Sequence, residues 1–368
     1  MERTKKNRFY PEGWRIIPRV LFSFCAPAWG QKSNRPNRGY LFDFHTGKKT
    51  LSSDSLVRAR STVIIHGSRN SIKKTQVALS PFDIRVLSEI IHLKEQDRNL
   101  LDGIADEQFK PELFCFKPSE LCHALGMSLS GSAYDRIELS LKAIAQFFLE
   151  IEHQNEHAKF NANDPLYSFR SHHLLSTLDT GRIKVVHGQE VEGSECRNLF
   201  WRVKFGAFLS HIAKKKAAWF SYPKSVLSEA GRSSVAQWLV FFSFSAPHTG
   251  NIANEYRLST LVKKANINSQ IADRIEKFIS ATTRKKQLDS VDKDALTRRV
   301  RIRVANRAAD TIRKAFEKLQ NSNIMLKAML CVASSSAMSK VRIHRHQTEH
   351  EALIANVSPD LRLSKPPS

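Results

Sequence analysis

Acid is what this chain lacks most visibly where it matters. The ten residues from Arg298 to Arg307 hold five arginines (Arg298, Arg299, Arg301, Arg303, Arg307) and no aspartate or glutamate. Over the whole chain 35 acidic residues face 58 lysines and arginines, a formal net charge of +23 and a sequence pI near 10.0. An excess of that size calls for a polyanionic partner, nucleic acid first. Long apolar runs are missing too. No stretch reaches the ~18 residues of a membrane span, and the nearest, Val20 to Gly30, is interrupted upstream by Pro18 and Arg19. That stretch is expected to be an apolar arm packed on the body rather than a signal peptide. Cysteine is sparse: Cys25, Cys115, Cys122, Cys196 and Cys331 are scattered singly without a C-x-x-C pair. Neither a disulfide framework nor a zinc site is indicated, and a reducing bacterial cytoplasm fits best.

The chemistry of an enzyme is absent as well. There is no G-x-x-x-x-G-K-[ST], hence no sign of a nucleotide-driven motor. His344-Arg345-His346 differs from the paired metal-holding histidines of rolling-circle nucleases in its central arginine and in lacking a following tyrosine helix. His172-His173 falls in an expected strand, where neighbours point to opposite faces and cannot converge on one ion. With no nucleophile–base arrangement in view, the reading is a binder without catalytic residues, metal or cofactor.

What is present is a helix with two unlike faces. From Asp292 to Leu319, Leu296, Val300, Val304, Ala308, Ile312, Ala315, Phe316 and Leu319 share one side at 3.6-residue spacing. Arg299, Arg303, Asn306, Asp310, Arg313 and Lys314 share the other, with Arg307 on its flank. Arginine grips phosphate or the O6/N7 edge of guanine bidentately, and asparagine does the same for adenine. A solvated helix balanced by i,i+4 ion pairs is the bland alternative, but few acids are there to balance it.

In chain order, residues 1–75 are expected to be a basic, largely irregular arm with a short strand at 62–65. Ser80-Pro81 caps a helix carrying Ile84, Leu87, Ile90 and Ile91. A strand (113–116), a short helix after Pro118 ended by Gly126, and a helix from about 133 to 146 follow. Strands are expected at 147–153, 167–178, 183–186 and 199–205. Helix, short helix, turn, longer helix and hairpin is the winged helix-turn-helix plan. It recurs as helix 234–245, short helix 258–265, the Arg-rich helix and strand 324–332. The fold class is therefore α+β, two tandem winged-helix domains at 76–206 and 207–335, the second with a helical insertion at 269–286, before a flexible tail, 336–368. The insertion is itself amphipathic, and Gln270, Arg274 and Lys277 make it the competing reader.

The candidate DNA-binding residues are Arg299, Arg303, Asn306 and Arg307 for bases. Arg313, Lys314, Lys263 and Lys264 are the candidates for phosphates. The first unit offers only Arg136 and Lys142, between Leu139 and Ala143, a face suited to weak DNA contact or to a dimer.

The segments LSPFDIRVLSEI (79–90), KPSELCHALGM (117–127), SAYDRIELSLKAIAQFFLEI (132–151), LFWRVKF (199–205), SVAQWLVFFSF (234–244) and RLSTLVKKANI (257–267), with the Arg-rich helix running into NIMLKAML, resemble in order the initiator proteins of theta-replicating plasmids. The IncQ-type initiators and their iteron-binding relatives are the nearest in pattern. The resemblance spans about 75–335; the long arm, the insertion and the tail depart from it. It implies binding to repeated duplex sites at a plasmid origin, melting there, and recruitment of a replicative helicase and host or plasmid replication proteins. It also implies copy control, and a homodimer that represses its own promoter in equilibrium with an initiating monomer. A winged-helix transcriptional regulator without a replication role, and a nicking or recombinase-type protein, are the rival readings.

Overall fold

The computed structural model describes residues 13–25, 27, 40–43, 48–49, 55–61, 63–66, 72–75, 79–96, 114–153, 171–180, 183–186, 189–192, 201–213, 218–245, 254–265, 267, 278–282, 290–321, 326–331 and 340–345. The chain opens with β1 (Trp14–Pro18) and the single turn α1 (Arg19–Phe22). Then come β2 (Tyr40–Asp43), β3 (Lys48–Lys49), β4 (Ser55–Ser61) and the hairpin β5 (Val63–His66) with β6 (Ile72–Thr75). Where the expected irregular arm is described, most of it is strand, and the rest of residues 1–75 lies outside the described residues. β4 pairs antiparallel with β8 (Phe147–His153), from Ser55 opposite His153 to Ser61 opposite Phe147, inside a sheet of order β3-β2-β4-β8-β9 whose last strand is β9 (Ser171–His173).

The first winged unit runs α2 (Pro81–Gln96), β7 (Phe114–Phe116), α3 (Pro118–Ala124), α4 (Gly131–Ala145), β10 (Leu175–Asp179) and β13 (Trp201–Phe205). A hairpin of β11 (Ile183–Val186) and β12 (Gln189–Glu192) extends between β10 and β13. The second unit runs α7 (Ser234–Ser245), β15 (Asn254–Arg257), α8 (Leu258–Lys264), α9 (Ser290–Asn321), β16 (Leu326–Cys331) and β17 (Lys340–Arg345). α5 (Ala207–Ala213), β14 (Trp219–Pro223) and α6 (Lys224–Ala230) join the two. Both units close the same way: the last strand lies centrally, with the strand before the short helix on one side and an earlier strand that follows the long helix on the other, β7-β13-β10 and β15-β17-β16. Shared element order and shared strand order make the second unit a structural repeat of the first, and both are winged helices. The expected tail at 336–368 differs at its start, because β17 (Lys340–Arg345) is the central strand of the second sheet, and residues 346–368 lie outside the described residues.

α2 shows how the first helix-turn-helix is held. Ser80 and Asp83 cap it reciprocally, Asp83 N donating to Ser80 Oγ at 3.1 Å and Ser80 N to Asp83 Oδ2 at 2.7 Å. The other oxygen, Asp83 Oδ1, accepts from Ser140 Oγ of α4 at 2.5 Å. Burial pushes the Asp83 carboxyl above the usual carboxylate range, against the opposing pull of the Ser140 and Ser80 hydrogen bonds. Arg85 donates to the carbonyl of Leu125, just past α3, at 2.6 Å. One helix therefore fixes both partners of the turn, while Gly126 supplies the left-handed residue (φ +65°) at which the chain leaves α3.

The two units share one core. β1 pairs with β14, from Trp14 opposite Pro223 to Pro18 opposite Trp219, and Ile16, Ile17, Val20 and Leu21 are buried. The 20–30 stretch packs on the body as expected wherever it is described, with Phe22 5.8 Å from Trp238 of α7. On its other side β1 meets α2: Arg15 Nε lies 2.7 Å from Glu89 Oε2, and Ser88 Oγ donates to the Ile16 carbonyl at 2.9 Å. The residues 13–22 thus stitch the first unit to the second.

Gly206, where β13 ends, makes a close approach that no side chain permits. A Cβ there would stand 1.7 Å from the His173 carbonyl oxygen, whose position is fixed by the neighbouring Gly206 N–Leu174 O hydrogen bond of 2.9 Å. Gly206→Ala is expected to destabilise the protein by about 3 kcal/mol, the upper range for overpacking, read as a lowered denaturant midpoint. Gly131→Ala, at a position with nothing within 4 Å, serves as the neutral control. Equal midpoints for the two variants would refute the close approach.

Candidate nucleic-acid interface

α9 is the long helix of the second winged unit, 32 residues in length, ~48 Å at 1.5 Å per residue. Its two halves differ. From Ala308 onward the apolar side is core: Ala308, Ala309, Ile312, Ala315, Phe316 and Leu319 are buried, and small residues there let α9 lie close to α7 and α8. Before Ala308 the helix emerges into solvent. Leu296 and Val300 are only half-buried, while Asp294, Ala295, Arg298, Arg299, Ile302, Asn306 and Arg307 are exposed. Of the amphipathic stripe anticipated along the whole helix, the described residues are fully buried only from Ala308 onward, and the side chain of Val304 lies outside the described residues.

The exposed half carries the acid-free arginine run. Arg299 and Asn306 sit two turns apart on one line, and Arg298 and Arg307 flank it. Arg303 belongs to the same helix, but its side chain lies outside the described residues. Asp310 ends the stripe: its Oδ1 accepts from Arg313 Nη1 at 3.0 Å, so Arg313 is already engaged by an acid and Lys314 is the exposed cation beyond it. On α8, which packs against α9, Lys263 is exposed, and the Lys264 ammonium stands 5.1 Å over the Phe242 ring. Burial lowers the Lys264 pKa. Sequence reasoning passed over Arg298, which the arginine count alone could have added, and Ile302.

The first unit's counterpart, α4, is a poorer anion surface. Asp135 and Glu138 stand beside its two cations, and Lys142 Nζ is 2.6 Å from Glu138 Oε1. The Arg136 guanidinium lies 4.0 Å over the Phe82 ring at the start of α2. Burial lowers its pKa, helped by the nearby Arg232. Ala143, expected to face outward, is buried at 7% exposure; Leu139 is outward at 48%. The two candidate sets, on α4 and on α8–α9, belong to different units.

For the competing reader, Gln270, Arg274 and Lys277 lie outside the described residues. Residues 278–282 are helical, with Phe278 exposed at 55%. The histidine pair at 172–173 behaves as strand geometry demands. His172 is buried, 5.8 Å from the Phe208 ring, and His173 is exposed beside Phe148. Among the described residues no His/Cys/Asp/Glu group could hold a metal ion, and no helix is long and apolar enough to cross a membrane.

The repeated topology and the projecting arginine-rich helix α9 define a tandem winged-helix protein. No protein-family model matches the chain, and no curated protein matches it. Among solved structures it is similar to a crystal structure of selenomethionine derivatives of domains 2 and 3 of RctB, at 12% identity and TM-score 0.45, over 81% of this chain and 89% of that one. A second crystal structure of RctB domains 2–3 aligns at 11% identity and TM-score 0.45, over 91% of this chain and 99% of that one.

Proposed function

We propose that the chain is a sequence-specific duplex-DNA-binding protein that initiates replication at a plasmid origin, without catalytic activity of its own. The observation that carries DNA binding is the exposed, acid-free arginine stripe on the long helix of the second winged unit, whose guanidinium forks suit phosphate and the major-groove edge of guanine. Arg299, Arg303, Asn306 and Arg307 read base edges in this account. Lys314 and Lys263 hold phosphate in this account, and Arg313 and Lys264 are further phosphate contacts. α4, with its paired charges, makes the weaker second contact or a dimer face. The replication role rests on the resemblance of element order to theta-type initiators, and with it go origin repeats, helicase recruitment and a monomer–homodimer exchange that represses the protein's own promoter.

Titration of variants on one origin fragment tests the reading. Arg299→Ala or Asn306→Ala is expected to cost about 1–3 kcal/mol on the specific site and to relax preference at one base pair. Lys314→Ala should weaken specific and random DNA alike and lower the salt slope by about 1. Equal losses on random DNA for all three variants would make α9 a phosphate clamp. Footprinting on DNA flanking the gene separates the roles: direct repeats favour the initiator, and a lone palindrome favours a transcriptional regulator.

A further inference from the structure

Among the described residues, the arginine-rich half of α9 carries one exposed large apolar side chain. Ile302 is 59% exposed, the highest value among the exposed large hydrophobic residues described. It lies one turn beyond Arg299 and one turn before Asn306, at the i+3 and i+7 positions of a single stripe. A solvated helix face gains nothing from it. Isoleucine is a weaker helix former than alanine, lysine or arginine, and its methyl groups stay in water. Single exposed apolar residues are ordinary on protein surfaces, but this one is set between a guanidinium and a carboxamide in a stretch without acid. A second copy of so basic a face would be repelled. A polyanion is attracted, and the major groove of duplex DNA offers one apolar feature among its donors and acceptors, the thymine C5-methyl group.

Resting on the assignment of α9 as reader, we infer that Ile302 is a specificity-determining residue that packs on a thymine methyl in the major groove. The rise from Arg299 to Ile302 is ~4.5 Å and from Ile302 to Asn306 ~6 Å, one to two base-pair steps each at ~3.4 Å per step. The thymine therefore lies between the base contacted by Arg299 and the base contacted by Asn306. Arg299 favours guanine and Asn306 favours adenine.

The test uses the full chain and the duplex it selects from random sequence. Each thymine of that duplex is replaced in turn by deoxyuridine, which deletes only the C5-methyl. One replacement is expected to weaken wild-type binding about fourfold, the worth of one buried methyl. Ile302→Ala should bind the thymine duplex about fourfold more weakly and show no response to that deoxyuridine, with its thermal midpoint unchanged because the position is exposed. Wild-type protein indifferent to every deoxyuridine, while Arg299→Ala still alters the selected sequence, overturns the role of Ile302 and leaves α9 as reader. Ile302→Ala that changes sedimentation but not base preference overturns it in favour of a protein contact. A wild type that selects no sequence at all overturns the reader assignment too.

Discussion

Raising the salt from about 50 to about 200 mM is expected to weaken DNA binding by roughly 10³–10⁵-fold. The figure follows from counterion release: each phosphate neutralised by a lysine or arginine frees condensed cations, and about 6–10 contacts give that range. The sources on α8 and α9 are near at hand. Arg298, Arg299, Arg307 and Lys314 are exposed on α9, Arg303 shares its helix, and Lys263 is exposed on the adjoining α8. On α9 itself the described acids flank the arginine run, Asp294 before it and Asp310 and Glu317 after it, with Asp310 already 3.0 Å from Arg313. α4 should add little to the slope, because Lys142 has Glu138 as its partner at 2.6 Å. Fluorescence anisotropy over a salt series measures the slope directly, and a nearly flat plot would mean that phosphates do not dominate.

The second large effect is on stability. Glu89→Ala is expected to cost about 3–5 kcal/mol, the loss that follows when one partner of a buried ion pair is removed and the other remains. Glu89 is 1% exposed and Arg15 5%. The carboxylate also faces Lys224 Nζ at 3.9 Å. Lys224 is partly exposed and can turn to water, whereas Arg15 is locked into β1 between α2 and β14. Its charge would be stranded in the core that joins the units. Glu89→Leu combined with Arg15→Leu should recover most of the loss, since an apolar pair of similar volume replaces the salt bridge. Chemical unfolding of the single and double variants decides it. A double variant no better than the single one would place the cost in packing rather than in stranded charge.

The elements legible in the sequence were those whose signal is local. α7 and β8 fall at the expected residues, 234–245 and 147–153, because a strongly apolar helix-length run and a short alternating run opened by two phenylalanines need no distant information. The same holds for the capped start of α2 and the glycine-ended α3. What escaped was set by partners far along the chain. β4, SLVRARS, has too little apolar alternation to announce a strand and is one because β8 lies beside it. β17, KVRIHR, does alternate, Val341 and Ile343 against lysine, arginine and histidine, but its basic composition and neighbourhood read as tail. Asp83, Arg85, Ser88 and Glu89 are polar residues of α2 for which the apolar spacing gave no place. They are buried because Ser140, the Leu125 carbonyl, the Ile16 carbonyl and Arg15 meet them there. On the candidate interface, the arginine content of α9 was plain from composition. The point along the helix where the core ends and the exposed stripe begins was not, since it depends on how far α7 and α8 reach.

The central claim is that α9, rather than the insertion before it, reads bases. Binding-site selection from random duplex DNA with the wild type, Arg299→Ala and Arg274→Ala tests it most directly. The account predicts that the wild type returns one defined sequence, that Arg299→Ala relaxes it at a single base pair, and that Arg274→Ala returns the wild-type sequence unchanged. A selected sequence altered only by Arg274→Ala would contradict it and move the reader to the 269–286 segment.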